Sequence, residues 1–76
     1  MKYIFDTHYG VSTLTDVETG MILKWDNGDF ERHRHYTMNM DTIALIVPCG
    51  EDEESFITAK EQEMDAYVIK NYPETI

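Results

Sequence analysis

Seventy-six residues leave room for one domain and not for a second, and a chain of this size buries only about 60% of its unfolded surface, so its stability margin is small. With 42% hydrophobic and 12% aromatic residues it is too apolar for a disordered tail. Fifteen Asp and Glu against six Lys and Arg give a formal net charge of −9, which opposes direct contact with nucleic acid or anionic membrane and suits cations or proteins with basic grooves.

The single cysteine, Cys49, excludes an internal disulfide. The first residues, Met1 to Phe5, reach Asp6 without an apolar segment of the signal-peptide kind. The longest apolar run, Ile43 to Val47, is far short of the roughly 20 residues that cross a bilayer. These features together predict a cytoplasmic domain.

In chain order, Lys2 to Phe5 reads as a short strand bounded by Asp6 and a Tyr9-Gly10 turn. Val11 to Val17 alternates, with Val11, Thr13, Thr15 and Val17 on one face. Glu18-Thr19-Gly20 turns the chain into Met21 to Trp25, whose Met21, Leu23 and Trp25 share a face. Asp26-Asn27-Gly28-Asp29 suits a type I′ hairpin turn, with Phe30 to Met38 as the return strand. That register sets Trp25 opposite Phe30, Lys24 opposite Glu31, Leu23 opposite Arg32 and Ile22 opposite His33. Thr42 to Val47, an unbroken apolar run ended by Pro48 and Gly50, predicts the central buried strand.

The remainder predicts a helix. Thr58 and Glu61 fit a capping box, with Ser55 or Asp52 as candidates for an earlier start. Met64, Tyr67, Val68 and Tyr72 form one apolar stripe, acids crowd the first turns, Lys70 sits in the last, and Asn71 and Pro73 suit the end. The expected fold is therefore α+β: an antiparallel sheet of four or five strands with one C-terminal helix on one face. Its expected core is Ile4, Leu14, Leu23, Trp25, Phe30, Ile43, Leu45, Val47, Met64 and Val68. Within it, the segment Asp16 to Trp25 resembles one blade repeat of quinoprotein-type β-propellers; a propeller needs several blades, so the likeness implies shared turn chemistry and no function.

Four groups of residues could carry chemistry. Glu31, His33 and His35 alternate on the expected return strand, a spacing that could offer two imidazoles and a carboxylate to zinc, iron or nickel in a small metal enzyme; a solvated polar face is the competing reading. Cys49 could be a nucleophile if a base such as His35 lay close, against the alternative of a partly buried free thiol. Arg32 and Arg34, interleaved with Phe30 and Tyr36, could contact RNA, but the surrounding negative field favours pairing with the chain's own acids. No phosphate-binding glycine loop, Gly-x-Ser-x-Gly, Cys-x-x-Cys or His-Glu-x-x-His occurs, and so short a chain struggles to enclose a small-molecule pocket of about 300 Å³. No cofactor is expected and the chain reads as non-catalytic.

The fourth group is the acids. Residues 51–76 hold eight of the fifteen acids and two of the six bases. Carboxylates on a rigid helix can imitate nucleic-acid phosphates, or can simply keep a helix face solvated. In size and acidity, carried by Asp26, Asp29, Glu51, Asp52, Glu53, Glu54, Glu61, Glu63 and Asp65, the chain resembles phage-encoded anti-CRISPR and anti-restriction proteins that act as DNA mimics. The resemblance implies an inhibitor, monomeric or homodimeric, that fills a basic nucleic-acid-binding groove of a bacterial defence complex. The alternative is an accessory domain that binds another protein or itself through a sheet edge.

Overall fold

Four strands form an antiparallel meander in a computed structural model that describes residues 1–76. Strands β1 (Tyr3–His8), β2 (Val11–Asp16) and β3 (Ile22–Asp26) are followed by the single-turn helix α1 (Phe30–His33) and the short edge strand β4 (His35–Thr37). Helices α2 (Met40–Ile46) and α3 (Glu53–Asn71) follow, then a 3₁₀ turn at Pro73–Thr75. The sheet order is β1-β2-β3-β4, with Phe5 opposite Leu14 and Leu14 opposite Leu23. The expected α+β architecture holds, with four strands rather than five.

Local chemistry explains each turn. Tyr9 and Gly10 both have positive φ, 51° and 75°, the combination a two-residue type I′ hairpin requires. At the next corner Asp16 Oδ1 accepts hydrogen bonds from the amides of Glu18 and Thr19, and the Asp16 carbonyl accepts one from Gly20. One buried carboxylate thus organises the β2–β3 turn.

The Asn27-Gly28 turn departs from expectation. Only Gly28 takes positive φ, 88°, and Asp29 donates to the Asp26 carbonyl at 3.0 Å. That is the pattern of a type II turn, whose twist splays strands. Phe30 to His33 therefore coils into α1 instead of returning as a strand. Ladder pairing resumes only at β4, where Lys24 meets His35, Leu23 meets Tyr36 and Ile22 meets Thr37. The contact between Trp25 and Phe30 survives in another form: their rings meet edge to face at 5.7 Å.

Thr42 to Val47 is likewise not a strand. Asn39 caps α2 by accepting from the amides of Asp41 and Thr42, and Met40, Ala44 and Leu45 within α2 favour helix. Helical spacing turns Ile43 inward, with Val47 one turn on and partly buried, and strands Leu45 in solvent at 89% exposure.

Helix α3 begins earlier than the Thr58 capping box suggests. Asp52 accepts from the Ser55 amide and hydroxyl, while Thr58 turns its hydroxyl back to the Glu54 carbonyl. Starting at Glu53 adds Ile57 to the buried side. The apolar stripe holds as expected: Met64 and Val68 are fully buried, and Tyr67 and Tyr72 pack beside them. Leu14, Leu23, Trp25, Phe30 and Ile43 complete the expected core, joined by Tyr3 and Met21. Ile4 and Leu45 are corrections, both exposed, because Ile4 points to the sheet's outer face and Leu45 away from Ile43. Val47 is only partly buried.

Candidate interaction surface

The fold separates the acids into those it consumes and those it leaves free. Glu63 accepts hydrogen bonds from Lys2 Nζ and, at 2.8 Å, from the Tyr3 hydroxyl. Those two donors hold its carboxyl below the usual carboxylate range, and the same pairing raises Lys2. Asp65 lies 2.8 Å from Arg34 Nη1 and accepts from the Tyr36 hydroxyl. Burial, then the hydrogen bond to Asp65, drives the Tyr36 phenol well above its ordinary value; burial and Glu63 do the same for Tyr3. Both carboxylates thus tie α3 to the sheet.

Asp26 and Asp29 flank His33, with Nδ1 at 3.7 Å and 2.9 Å from their carboxylate oxygens. Glu61 is partly buried, and its backbone carbonyl lies 3.0 Å from the Tyr36 hydroxyl. Glu51, Asp52, Glu53 and Glu54 are all exposed and none has a Lys or Arg within ion-pair distance. Asp52 serves as the α3 cap.

Residues 35–59, which run from β4 through α2 into α3, contain no Lys or Arg and five acids: Asp41 and Glu51 to Glu54. The α3 dipole offsets only about half a charge at its N-terminus, so this end of the molecule keeps a strong negative field. Beyond the first turn, the solvent side of α3 presents the uncharged Ser55, Ala59, Gln62 and Ala66, with Lys70 in the last turn and Glu63 held by Lys2. The expected row of carboxylates along the helix is therefore a cluster at its start.

The other candidates change character. Glu31 and His33 sit on α1 and His35 on β4, so the three no longer share a strand face, and no set of three His, Cys, Asp or Glu side chains is placed to hold a metal ion. Glu31 lies 3.7 Å from Arg34. Cys49 is exposed rather than partly buried. Arg34 stacks over Phe30 at 5.2 Å and pairs with Asp65, as the reading of self-pairing anticipated, whereas Arg32 is exposed and has no acid within ion-pair distance. The largest concavity, about 510 Å³ and open to solvent, lies away from the acidic end between the N-terminus and α3, against Lys2, Tyr3, Glu63, Tyr67 and Lys70.

Sequence reading missed the one fully buried ion pair partner. Asp16 is inaccessible to solvent, and its Oδ2 lies 3.4 Å from Lys60 Nζ. An Asp three residues before a Thr-Gly turn was the available signal for the turn, but nothing local points to Lys60. No helix is long and apolar enough to cross a membrane. No family model, curated protein or solved structure matches the chain.

Proposed function

We propose that this domain is a non-catalytic, protein-binding inhibitor that places its acidic end in a basic nucleic-acid-binding groove of a bacterial CRISPR or restriction complex. The observation that carries this reading is the free cluster Asp41 and Glu51 to Glu54, exposed and without a cation across residues 35–59. The fold neutralises Asp16, Glu63 and Asp65 against its own cations and leaves this cluster alone.

The proposed groove is one that holds DNA or guide RNA, whose phosphates the clustered carboxylates imitate. Association with it is fast and falls steeply with salt.

The test is phage plating on a bacterial strain with active CRISPR or restriction immunity, with and without the protein. The triple variant Glu51→Gln, Glu53→Gln and Glu54→Gln removes charge while keeping the Asp52 cap. The wild type raises plating and the triple variant does not. Equal plating with both, or no effect of the wild type, overturns the reading.

One observation favours a second reading, an accessory domain that pairs through its sheet edge. Strand β1 is an edge strand of six residues with no neighbour on its outer side, and such edges add further strands. A dimer in sedimentation that a proline at Phe5 abolishes would identify that use.

A further inference from the structure

We infer that the outer face of the sheet, the one its helices leave bare, is the contact surface of a homodimer whose twofold axis runs along β2.

Alternation along the strands sends Leu14, Leu23 and Trp25 inward, where Phe30, Ile43, Met64 and Val68 from the three helices join them in one core. The opposite face keeps access to solvent: Ile4 is 50% exposed, and Val11, Thr13, Thr15 and Ile22 are each partly exposed. The strand register arranges its residues in three rows across β1, β2 and β3. They are Ile4, Thr15 and Ile22; then Asp6, Thr13 and Lys24; then His8, Val11 and Asp26. Neither Asp6 nor Lys24 has an ion-pair partner within the chain.

The rows select the occupant. A twofold axis laid along β2, midway between two facing sheets, exchanges β1 with β3 and keeps every row in place. Ile4 then meets Ile22 of the second copy, Asp6 meets Lys24, and His8 meets Asp26, each contact made twice. Val11, Thr13 and Thr15 meet their own counterparts on the axis. Every pairing is apolar with apolar, carboxylate with base, or hydroxyl with hydroxyl. An unrelated protein would have to supply by chance the pattern that this face supplies for itself.

The geometry of packed sheets permits the contact. The side chains nearest the axis are small or β-branched, which suits the separation of about 10 Å between stacked sheets. Aligned sheets cross at about 30°. At β1 and β3, about 4.8 Å from the axis, that angle shifts facing residues by only about 2–3 Å, within reach of the long Lys24 stem. Glu53 and Glu54 stand on α3, in the layer on the other side of the sheet, so the dimer leaves them outside the contact. The face is also distinct from the outer edge of β1, where a further strand would join the same sheet.

Sedimentation equilibrium of the full chain over a concentration series tests the dimer with a charge swap. The wild type reaches twice the chain mass. Asp6→Lys and Lys24→Asp each set like charges across the contact twice over and weaken association by at least about tenfold. The double variant, Asp6→Lys with Lys24→Asp, restores it. Net charge alone gives another result, since Asp6→Lys makes the chain less negative and would strengthen association. Thr15→Arg, which brings two guanidinium groups together on the axis, gives a monomer. Far-ultraviolet dichroism of the charge variants matches the wild type, as expected at exposed positions.

A wild type that stays monomeric up to about 1 mM overturns the inference. So does a dimer that either single charge reversal leaves intact, or a double variant that fails to recover. A dimer indifferent to all these changes and to Thr15→Arg, yet lost in Phe5→Pro, assigns the association to the β1 edge and overturns the face.

Discussion

Asp16 and Lys60, forty-four positions apart, meet at 3.4 Å with the carboxylate fully enclosed and the ammonium nearly so. Asp16 spends one oxygen on the β2–β3 turn and the other on α3, so one side chain both shapes the hairpin and fixes the helix over it. The two partners are unequal. A freed lysine can swing its long stem to water, whereas a freed buried aspartate cannot. Lys60→Met should therefore cost more than Asp16→Asn, which keeps an acceptor for the turn amides. Asp16→Ala, which loses both roles, should cost about 3 kcal/mol, lowering the melting temperature by roughly 15 °C in a domain this small. Urea unfolding of the three variants checks the order; a Lys60→Met protein as stable as wild type contradicts it.

The C-terminus is held by a second long-range contact. Trp25 Nε1 donates to Thr75 Oγ1 at 3.1 Å, Thr75 donates on to the Tyr72 carbonyl, and Gly28 donates to the Thr75 carbonyl. Trp25 is fully buried, so Thr75→Val leaves its indole N–H without a partner. The expected cost is about 1–3 kcal/mol. Thr75→Ser, which retains the hydroxyl, should recover most of it. Tryptophan fluorescence during denaturant unfolding reads both, and a valine variant indistinguishable from the serine variant refutes the latch.

The elements legible in the sequence are those whose local and long-range preferences agree. The Tyr9-Gly10 hairpin, the Asp16-to-Gly20 corner and the Met64–Val68 stripe are set by neighbours within a turn or two. Where the two levels disagree, reading failed. Ile43 to Val47 carries an unbroken apolar pattern that suits a buried strand, but Asn39 caps a helix just ahead of it, and the chain already has four strands. Asn27-Gly28 allows two turn types, and the chain adopts the one that sends Phe30 under Trp25. Of the nine acids singled out, sequence could not tell Glu63 and Asp65, bound by Lys2 and Arg34, from Glu51 to Glu54, because their partners lie 61 and 31 positions away.

Tyr9 stands in the left-handed region at φ 51° while its side chain is 92% exposed. Its ring lies edge-on to that of His8, with centroids 4.2 Å apart. A bulky residue pays steric strain there that asparagine largely avoids. Tyr9→Asn should therefore stabilise the domain by about 0.5–1 kcal/mol, and thermal melting will show it as a rise of a few degrees. A loss of stability would mean that the His8–Tyr9 contact outweighs the strain.

Acid should weaken the Lys2–Glu63 tie. The folded-state pKa of Glu63 lies below its ordinary value, so its contribution is complete above about pH 4.3 and is lost as pH falls through the lower folded value. Both side chains are about half exposed, which limits the effect to about 1 kcal/mol or less. Glu63→Gln should be less stable than wild type at neutral pH and equal to it at the acid end, where wild-type Glu63 is protonated too. Glu74→Gln, with the same change of charge and no ion pair, corrects for the relief of net repulsion. A Glu63→Gln deficit that persists unchanged into acid would show that the carboxylate contributes nothing through its charge.

Alkali should act through two phenols. Tyr3 and Tyr36 are raised by burial first and then by hydrogen bonds to Glu63 and Asp65, so the folded protein keeps both protons at a pH where the unfolded chain releases them. Their contribution is complete below about pH 10, the ordinary tyrosine value, and declines as pH rises from there toward the folded values. Tyr3→Phe and Tyr36→Phe should each cost about 1 kcal/mol at neutral pH yet lose stability less steeply above about pH 10. Denaturant unfolding at a series of alkaline pH values gives the slopes directly, and parallel curves for wild type and both phenylalanine variants would place the alkaline transition on other groups.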